Sequence, residues 1–349
     1  MSTASHPSPA NPLDVAWPEQ DLETVSSCPY CGAAEHRLAH EKVQDWSFGA
    51  APGWWNYWAC QQCQAVFLNP RPTAESIGKA YGRYYTHASA LGKSWPARLK
   101  QRLRNEYWTH SLGNPMSPRL GLPGWAGPLV KQLKSRIAEP FGLRQLATLP
   151  RGRLIDVGCG NGDALQMARQ LGWQALGIEL DGAAVQAARA RGLDVVQGGY
   201  ETLAHYAGQA DCVMCSHVLE HVHQPLALLR LLLASLKKDG VLLLSAPNAS
   251  SYLREEYGNN WRGLEAPRHL AIADATWLVQ WLGAQGFECR QLTSWDVEMR
   301  TESERIRRRG TATLAADVQA AKKALHERPG PPSLARQDIF QLVCTRSPA

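Results

Sequence analysis

The stretch Leu154-Ile155-Asp156-Val157-Gly158-Cys159-Gly160-Asn161-Gly162-Asp163 constrains this chain most. A short apolar strand runs straight into a turn with glycine at every second position. A strand ending this way brings bare backbone close to a bound small molecule, because a Cβ would block the approach. The dinucleotide fingerprint G-x-G-x-x-G is not met, since Asp163 stands at its third glycine position. No Lys-Ser/Thr pair comes after it, so the turn is not a phosphate-binding P-loop either. An acid, Asp156, stands two places before the first glycine.

Residues 151–246 continue as repeated βα units. Short apolar runs at 153–158, 174–179, 193–197, 210–216 and 240–246 read as strands, with helical patterns between most of them. That alternation predicts a parallel sheet covered on both faces. The second run ends in Glu179, 23 positions after Asp156. A carboxylate at that strand tip can accept hydrogen bonds from both ribose hydroxyls of an adenosine. Glu179 also fits as an ordinary surface acid capping the helix of 183–192, for which Asp181 is a second candidate.

Together with the motifs downstream of it, the glycine turn resembles motif I of the class I S-adenosylmethionine (SAM)-dependent methyltransferases. Gly177-Ile178-Glu179-Leu180-Asp181 resembles the family's next motif, and Asp211 to Val222 its fourth-strand motif. Leu236 to Asn248 resembles the fifth strand, with Lys238 and Asp239 in place of the usual Pro-Gly. The resemblance covers about residues 151–295 of a domain read as 151–349. It implies a Rossmann-like α/β fold with a seven-stranded sheet whose last strand is antiparallel; 287–294 and 338–346 are the natural sixth and seventh strands. In an open α/β sheet the ligand lies beyond the carboxyl ends of the strands. Asp156, Gly158, Cys159, Gly160, Gly162, Glu179, Leu180, Tyr200 and Ser216 are therefore the expected SAM contacts.

An N-terminus without a basic or apolar leader pattern points to a cytoplasmic chain, and this one carries nine cysteines. Its thiols read as free or metal-bound rather than disulfide-paired. Cys28-Pro29-Tyr30-Cys31 and Cys60-Gln61-Gln62-Cys63 are two C-x₂-C knuckles with 28 residues between them. Two such knuckles make a tetrahedral four-thiolate zinc site with no position left for water, so the zinc is structural. Residues 24–72 read as a small zinc ribbon after a disordered lead-in of 1–23, with a β-hairpin between the knuckles. Many members of the resembled family carry such a ribbon with N-P-R-P after it, here Asn69-Pro70-Arg71-Pro72. The remaining cysteines, 159, 212, 215, 289 and 344, read as small core residues.

Residues 73–150 read as a basic helical linker. Between 79 and 144 the Lys and Arg side chains face only Glu106 and Glu139, with Tyr and Trp interleaved. Amphipathic helices are expected at 97–108 and 129–141, broken by the Pro/Gly-rich 113–127. The stretch fits a solvated lid over the active site best. Peripheral contact with an anionic membrane comes next, and a nucleic-acid patch last. The Leu-rich run Leu226–Leu236 is too short to span a bilayer and carries Arg230, so it reads as a buried helix. Residues 299–336 read as a charged, mobile surface insertion before the last strand.

Methyl transfer needs in-line positioning and, for a hydroxyl acceptor, a base. His217, Glu220 and His221 come after the fourth strand within one helical turn. His221 is the first candidate base, oriented by Glu220, with His217 and His269 as substitutes. A histidine that simply locks the strand–helix junction fits equally well. The same residues satisfy the H-x-x-E-H pattern of a zinc protease, but that motif belongs inside a long helix, and a buried strand directly precedes it here. Trp261 to Leu270 resembles the "P-R-H-L" loop that borders the acceptor pocket in ribbon-bearing family members. On that basis Trp261 and Arg268, with Asn248 at the tip of the fifth strand, are expected to contact the acceptor, Arg268 by clamping a carboxylate or phosphate; capping of the next helix is the alternative. The expected activity is SAM-dependent methylation of a small-molecule, quinone-like or sugar acceptor, on oxygen first. C-methylation of a nucleotide-linked sugar is the rival reaction, and a non-catalytic zinc-ribbon adaptor that binds SAM is the rival class.

Overall fold

The computed structural model describes residues 11–82, 95–131, 140–294, 297–309 and 333–347. The N-terminal part carries β1 (Leu22–Glu23), β2 (His36–Val43), β3 (Trp55–Cys60), β4 (Val66–Leu68) and β5 (Arg71–Pro72). Helices α1 (Trp95–Leu112), α2 (Gly127–Lys131) and α3 (Leu143–Thr148) lead into the main domain. There the chain alternates: β6 (Arg153–Val157), α4 (Asp163–Gln170), β7 (Gln174–Glu179), α5 (Gly182–Ala190), β8 (Asp194–Gln197), β9 (Ala210–Ser216), α6 (Pro225–Ser235) and β10 (Leu236–Pro247). It closes with α7 (Tyr252–Tyr257), β11 (Ala271–Ile272), α8 (Ala275–Ala284), β12 (Phe287–Gln291), α9 (Val297–Arg307) and β13 (Ile339–Arg346).

Seven of these strands form one sheet in the order β12-β13-β10-β9-β6-β7-β8. Strands β6 to β10 pair in parallel, and β13 inserts antiparallel between β10 and β12. The order turns back on itself at β6 and β9. That switch point opens a crevice at the carboxyl edge, where both chains leave the sheet in opposite directions. The central strands are buried on both faces, which is why Leu154–Val157 and Val241–Ala246 are apolar apart from the buried Asp156 and Ser245.

The ribbon is not a lobe apart. Its four-stranded sheet runs β11-β4-β3-β2, so one edge strand, Ala271–Ile272, comes from the main domain. The Tyr30 hydroxyl donates to Ala271 O at 3.1 Å. Cys28, Tyr30, Cys60, Cys63 and Phe67 share one buried cluster with Ile155, Val213 and Leu244 of the large sheet.

Three sequence expectations need correction. The reading of Cys289 and Cys344 as separate core thiols fails: β12 and β13 place them directly opposite each other, and their sulfurs are bonded. The start of the 299–336 insertion is no loop, because α9 turns Arg300, Thr301 and Ile306 inward; residues 310–332 lie outside the described residues. The basic helix α1 does not lie over the strand tips. Its Tyr107 and Trp108 pack with Leu154, Trp173 and Met214 on the α4 face of the sheet. Among the expected second helix, 129–131 is helical and 132–139 lies outside the described residues. No described helix is long and apolar enough to cross a membrane.

Candidate active site

The glycine turn adopts the conformation its sequence requires. Gly158, Gly160 and Gly162 all have positive φ, at 70°, 53° and 82°. A Cβ on Gly158 would stand 2.3 Å from Val218 Cγ2, and one on Gly162 2.4 Å from Leu193 Cδ1. Gly160 faces open space instead, with nothing within 4 Å of where its Cβ would be. The Glu179 carboxylate holds this loop: Oε2 accepts from Gly160 N at 2.8 Å and Oε1 from Asp181 N at 2.9 Å. Each oxygen keeps a second lone pair for a ligand. Asp181, not Glu179, caps α5, accepting from the Ala183 and Ala184 N–H groups. Leu180 is 72% exposed beside the loop, an apolar surface at the rim. Tyr200 and Ser216 stand half-buried at the neighbouring strand ends.

Asp156 lies under the turn, buried. Burial first, and the Glu179 charge second, push its carboxyl up to about 8. Burial likewise raises the Cys159 thiol, keeping it protonated beside the same two acids. The open backbone, the acid at the strand tip and the apolar rim fit an adenosine with a charged sulfonium tail, so these residues suit SAM. A raised native pKa means that the unfolded chain releases the Asp156 proton first. Stability from this group is whole below about 4 and drains away as pH rises through about 8. In ligand-free protein, Asp156→Asn should flatten the fall of unfolding free energy across that window. Parallel wild-type and mutant curves from denaturant titrations at several pH values would contradict the assignment.

Cys28, Cys31, Cys60 and Cys63 converge, with Sγ–Sγ distances of 3.4 Å for Cys28–Cys63 and for Cys31–Cys60. A tetrahedron of thiolates about 2.3 Å from zinc has edges of roughly 3.8 Å, so the cluster fits that ion with little adjustment. Four thiolates would fill the coordination of such an ion and leave no position for water.

A second constellation sits beside the SAM crevice, around a cavity of about 480 Å³. His217, Glu220 and His221 enter from the end of β9, Glu265 and His269 from the loop after α7. Ser47 and Phe48 of the ribbon hairpin and Met299 of α9 also line the cavity. Glu220 does not orient His221 as the sequence suggested; its Oε1 stands 3.3 Å from His217 Nδ1. His217 itself has a φ of 56°, and its N–H donates to Ser245 O. Burial opposes ionisation of Glu220, but the bond from His217 and the nearby imidazoles hold it down to about 2. Partial desolvation works against the His217 cation too, yet the Glu220 carboxylate raises its pKa. His221 instead sets Nδ1 3.1 Å from Arg268 O and 3.1 Å from the Tyr81 hydroxyl.

Three expected acceptor contacts are structural struts in this fold. Arg268 is fully buried, its guanidinium spanning both Asp45 oxygens, Glu265 Oε1 and Ala80 O, with Phe48 against its face. Trp261 is buried too, its Nε1 donating to Asp338 Oδ1 at 2.7 Å. Asn248 bonds Ala335 O and Gln337 O and accepts from Ala275 N, tying the end of β10 to the approach of β13. Each spends its polar atoms on the protein, which leaves none directed at an acceptor. What the sequence did not flag is the ribbon's share in this site, Phe48 and Asp45, because no local pattern links them to residues over two hundred positions on.

Residues 129–292 match the family model described as "Methyltransferase domain". That segment is a methyltransferase domain. It contains the glycine turn, Glu179 and the whole histidine–glutamate cluster. A "Ubiquinone biosynthesis O-methyltransferase" of Xanthomonas campestris pv. campestris is 37% identical over 107 residues, 29% of this chain and 45% of that protein. A protein of the same name from Xanthomonas axonopodis pv. citri is 32% identical over 153 residues, 42% of this chain and 58% of its own length. The chain thus spans about half the length of the curated relatives it matches. Among solved structures, a SAM-dependent methyltransferase from Archaeoglobus fulgidus overlays 63% of this chain and 99% of its own, with a TM-score of 0.41 and 17% identity. One from Mesorhizobium loti covers 59% and 96%, with a TM-score of 0.40 and 18% identity.

Proposed function

We propose that this protein transfers a methyl group from SAM to an oxygen of a small, quinone-like acceptor. One observation carries the reading: the glycine turn with Glu179 and the histidine-lined cavity open at neighbouring strand ends of a single sheet. SAM supplies a methyl group made electrophilic by its sulfonium. Glu179 would accept from the ribose hydroxyls, and the Gly158–Gly162 backbone would approach the rest of the cofactor. His217 is the general base of this reading. Its Nδ1 donates to Glu220 Oε1, which leaves the Nε2 lone pair for an acceptor hydroxyl. Buried Glu220 fixes the ring and stabilises the imidazolium that proton removal creates. Phe48 and Met299 supply apolar walls for a ring-shaped acceptor. The names of the Xanthomonas relatives support the quinone class.

The test is transfer of labelled methyl from SAM into quinol-type phenols and into soluble and lipid fractions of cell extract. Label in an ether, matched by S-adenosylhomocysteine, is the expected result. Label on sugar carbon would replace the acceptor class, and tight SAM binding with no product in any fraction would return the chain to an adaptor.

A further inference from the structure

The methyl-transfer reading uses His217 and one oxygen of Glu220. It gives no work to the other oxygen of Glu220, or to the free ring nitrogens of His221 and His269. These three side chains come from two segments, the turn after β9 and the loop before β11, stitched together by Leu270 N donating to Glu220 O at 2.7 Å. One donor atom of each lies within 4.8 Å of the other two. The two rings meet edge to face with centroids 4.7 Å apart.

Both imidazoles are fixed in the same way. His221 Nδ1 stands 3.1 Å from Arg268 O, and His269 Nδ1 2.7 Å from Gly263 O. A carbonyl oxygen only accepts, so in each ring Nδ1 carries the proton and Nε2 keeps its lone pair. A ring N–H held by a backbone carbonyl is the usual outer support of a metal-bound histidine. Glu220 Oε1 is engaged by His217, while Oε2 is buried with no hydrogen-bond partner among the described residues. The His269 Nε2 lone pair faces Glu220 Oε1 at 3.9 Å and Glu265 Oε2 at 3.5 Å. Those separations are too long for hydrogen bonds. They match ligands that share one ion, because two donors each about 2.1 Å from a metal stand roughly 3–4 Å apart.

Lone pairs facing lone pairs in a buried site are costly unless a cation lies between them. We propose that Glu220, His221 and His269 bind one divalent first-row transition-metal ion in the acceptor cavity, separate from the zinc of the four cysteines. Two imidazoles and one carboxylate suit such an ion better than magnesium or calcium. Three protein ligands leave positions open toward the cavity. There the ion takes an acceptor oxygen, favouring acceptors with an acidic hydroxyl or two adjacent oxygens. This consequence rests on the acceptor-pocket reading; the metal site itself does not.

The test uses the full chain with its cysteine site filled with zinc, washed with a weak chelator, without SAM or acceptor. Cobalt(II) is then titrated and tracked by calorimetry and visible absorption. The expected result is one equivalent bound, with a nitrogen/oxygen-type spectrum and no intense thiolate-to-cobalt band. Glu220→Gln and His269→Gln should each weaken that binding at least about tenfold. Wild-type protein that binds no cobalt overturns the proposal, as does cobalt appearing only with the thiolate band, or variants that bind like wild type. Should a variant fail to fold, the wild-type titration still decides. SAM binding is measured on the same sample: its absence with cobalt retained would remove the methyl-transfer reading and leave the metal site standing.

Discussion

His217→Ala should lower turnover by on the order of 10²–10⁴-fold, with SAM affinity within about twofold of wild type. The asymmetry comes from position. His217 stands half-exposed at the end of β9, on the cavity side of the crevice, and Glu220 Oε1 holds its Nδ1. Removing the ring takes away the proton acceptor but none of the glycine turn or Glu179. Glu220→Gln should lose less, because a neutral amide can still hold the ring while no longer favouring its cation. Single-turnover rates with saturating SAM check this. Normal rates in His217→Ala would mean that the acceptor arrives already ionised and that catalysis is positioning alone.

Arg268→Ala should cost about 3–5 kcal/mol of stability, the typical loss when one partner of a buried ion pair is removed. The guanidinium is the bolt between the ribbon and the main domain: Asp45 lies in the hairpin loop, Glu265 in the loop after α7, and all three are buried. Asp45 would keep its bonds from the Phe48, Ala50 and Ala51 N–H groups but face an empty, uncompensated space. Arg268→Lys should rescue only part, since an ammonium cannot span both Asp45 oxygens. Denaturant unfolding of the single variants and of Arg268→Met/Asp45→Asn measures the coupling. A variant of wild-type stability with a raised KM for acceptor would restore Arg268 to the substrate clamp that its sequence context suggested.

These two residues show where the sequence was legible. The strands of the main sheet fall within a few residues of their apolar runs, because strands buried on both faces are built mostly from apolar residues. The glycine turn and the paired cysteines were legible for a similar reason: each is a local pattern set by a local geometric demand. The histidine cluster was found by its spacing, yet its wiring was not. Glu220 lies three residues from His217 and one from His221, and only the three-dimensional turn after β9 decides which it meets. Arg268 meets Asp45 across 223 positions, and Cys289 meets Cys344 through the pairing of β12 with β13. Nothing local encodes either contact. The basic stretch reads first as a solvated lid over the active site, but a charge pattern does not say which part of the fold its helix packs on. In the fold, Tyr107 and Trp108 anchor α1 to the sheet and leave Arg98, Lys100, Arg102 and Arg104 exposed.

The most direct test of the account is calorimetric titration of SAM into the wild-type chain and into Glu179→Ala. The account predicts one SAM per chain for wild type. It predicts affinity weakened by about 1–3 kcal/mol, roughly 5- to 150-fold, when the ribose hydroxyls lose that acceptor. Wild-type protein that takes up no SAM, or a folded Glu179→Ala that binds it unchanged, would contradict the assignment of the cofactor site to the carboxyl edge of this sheet.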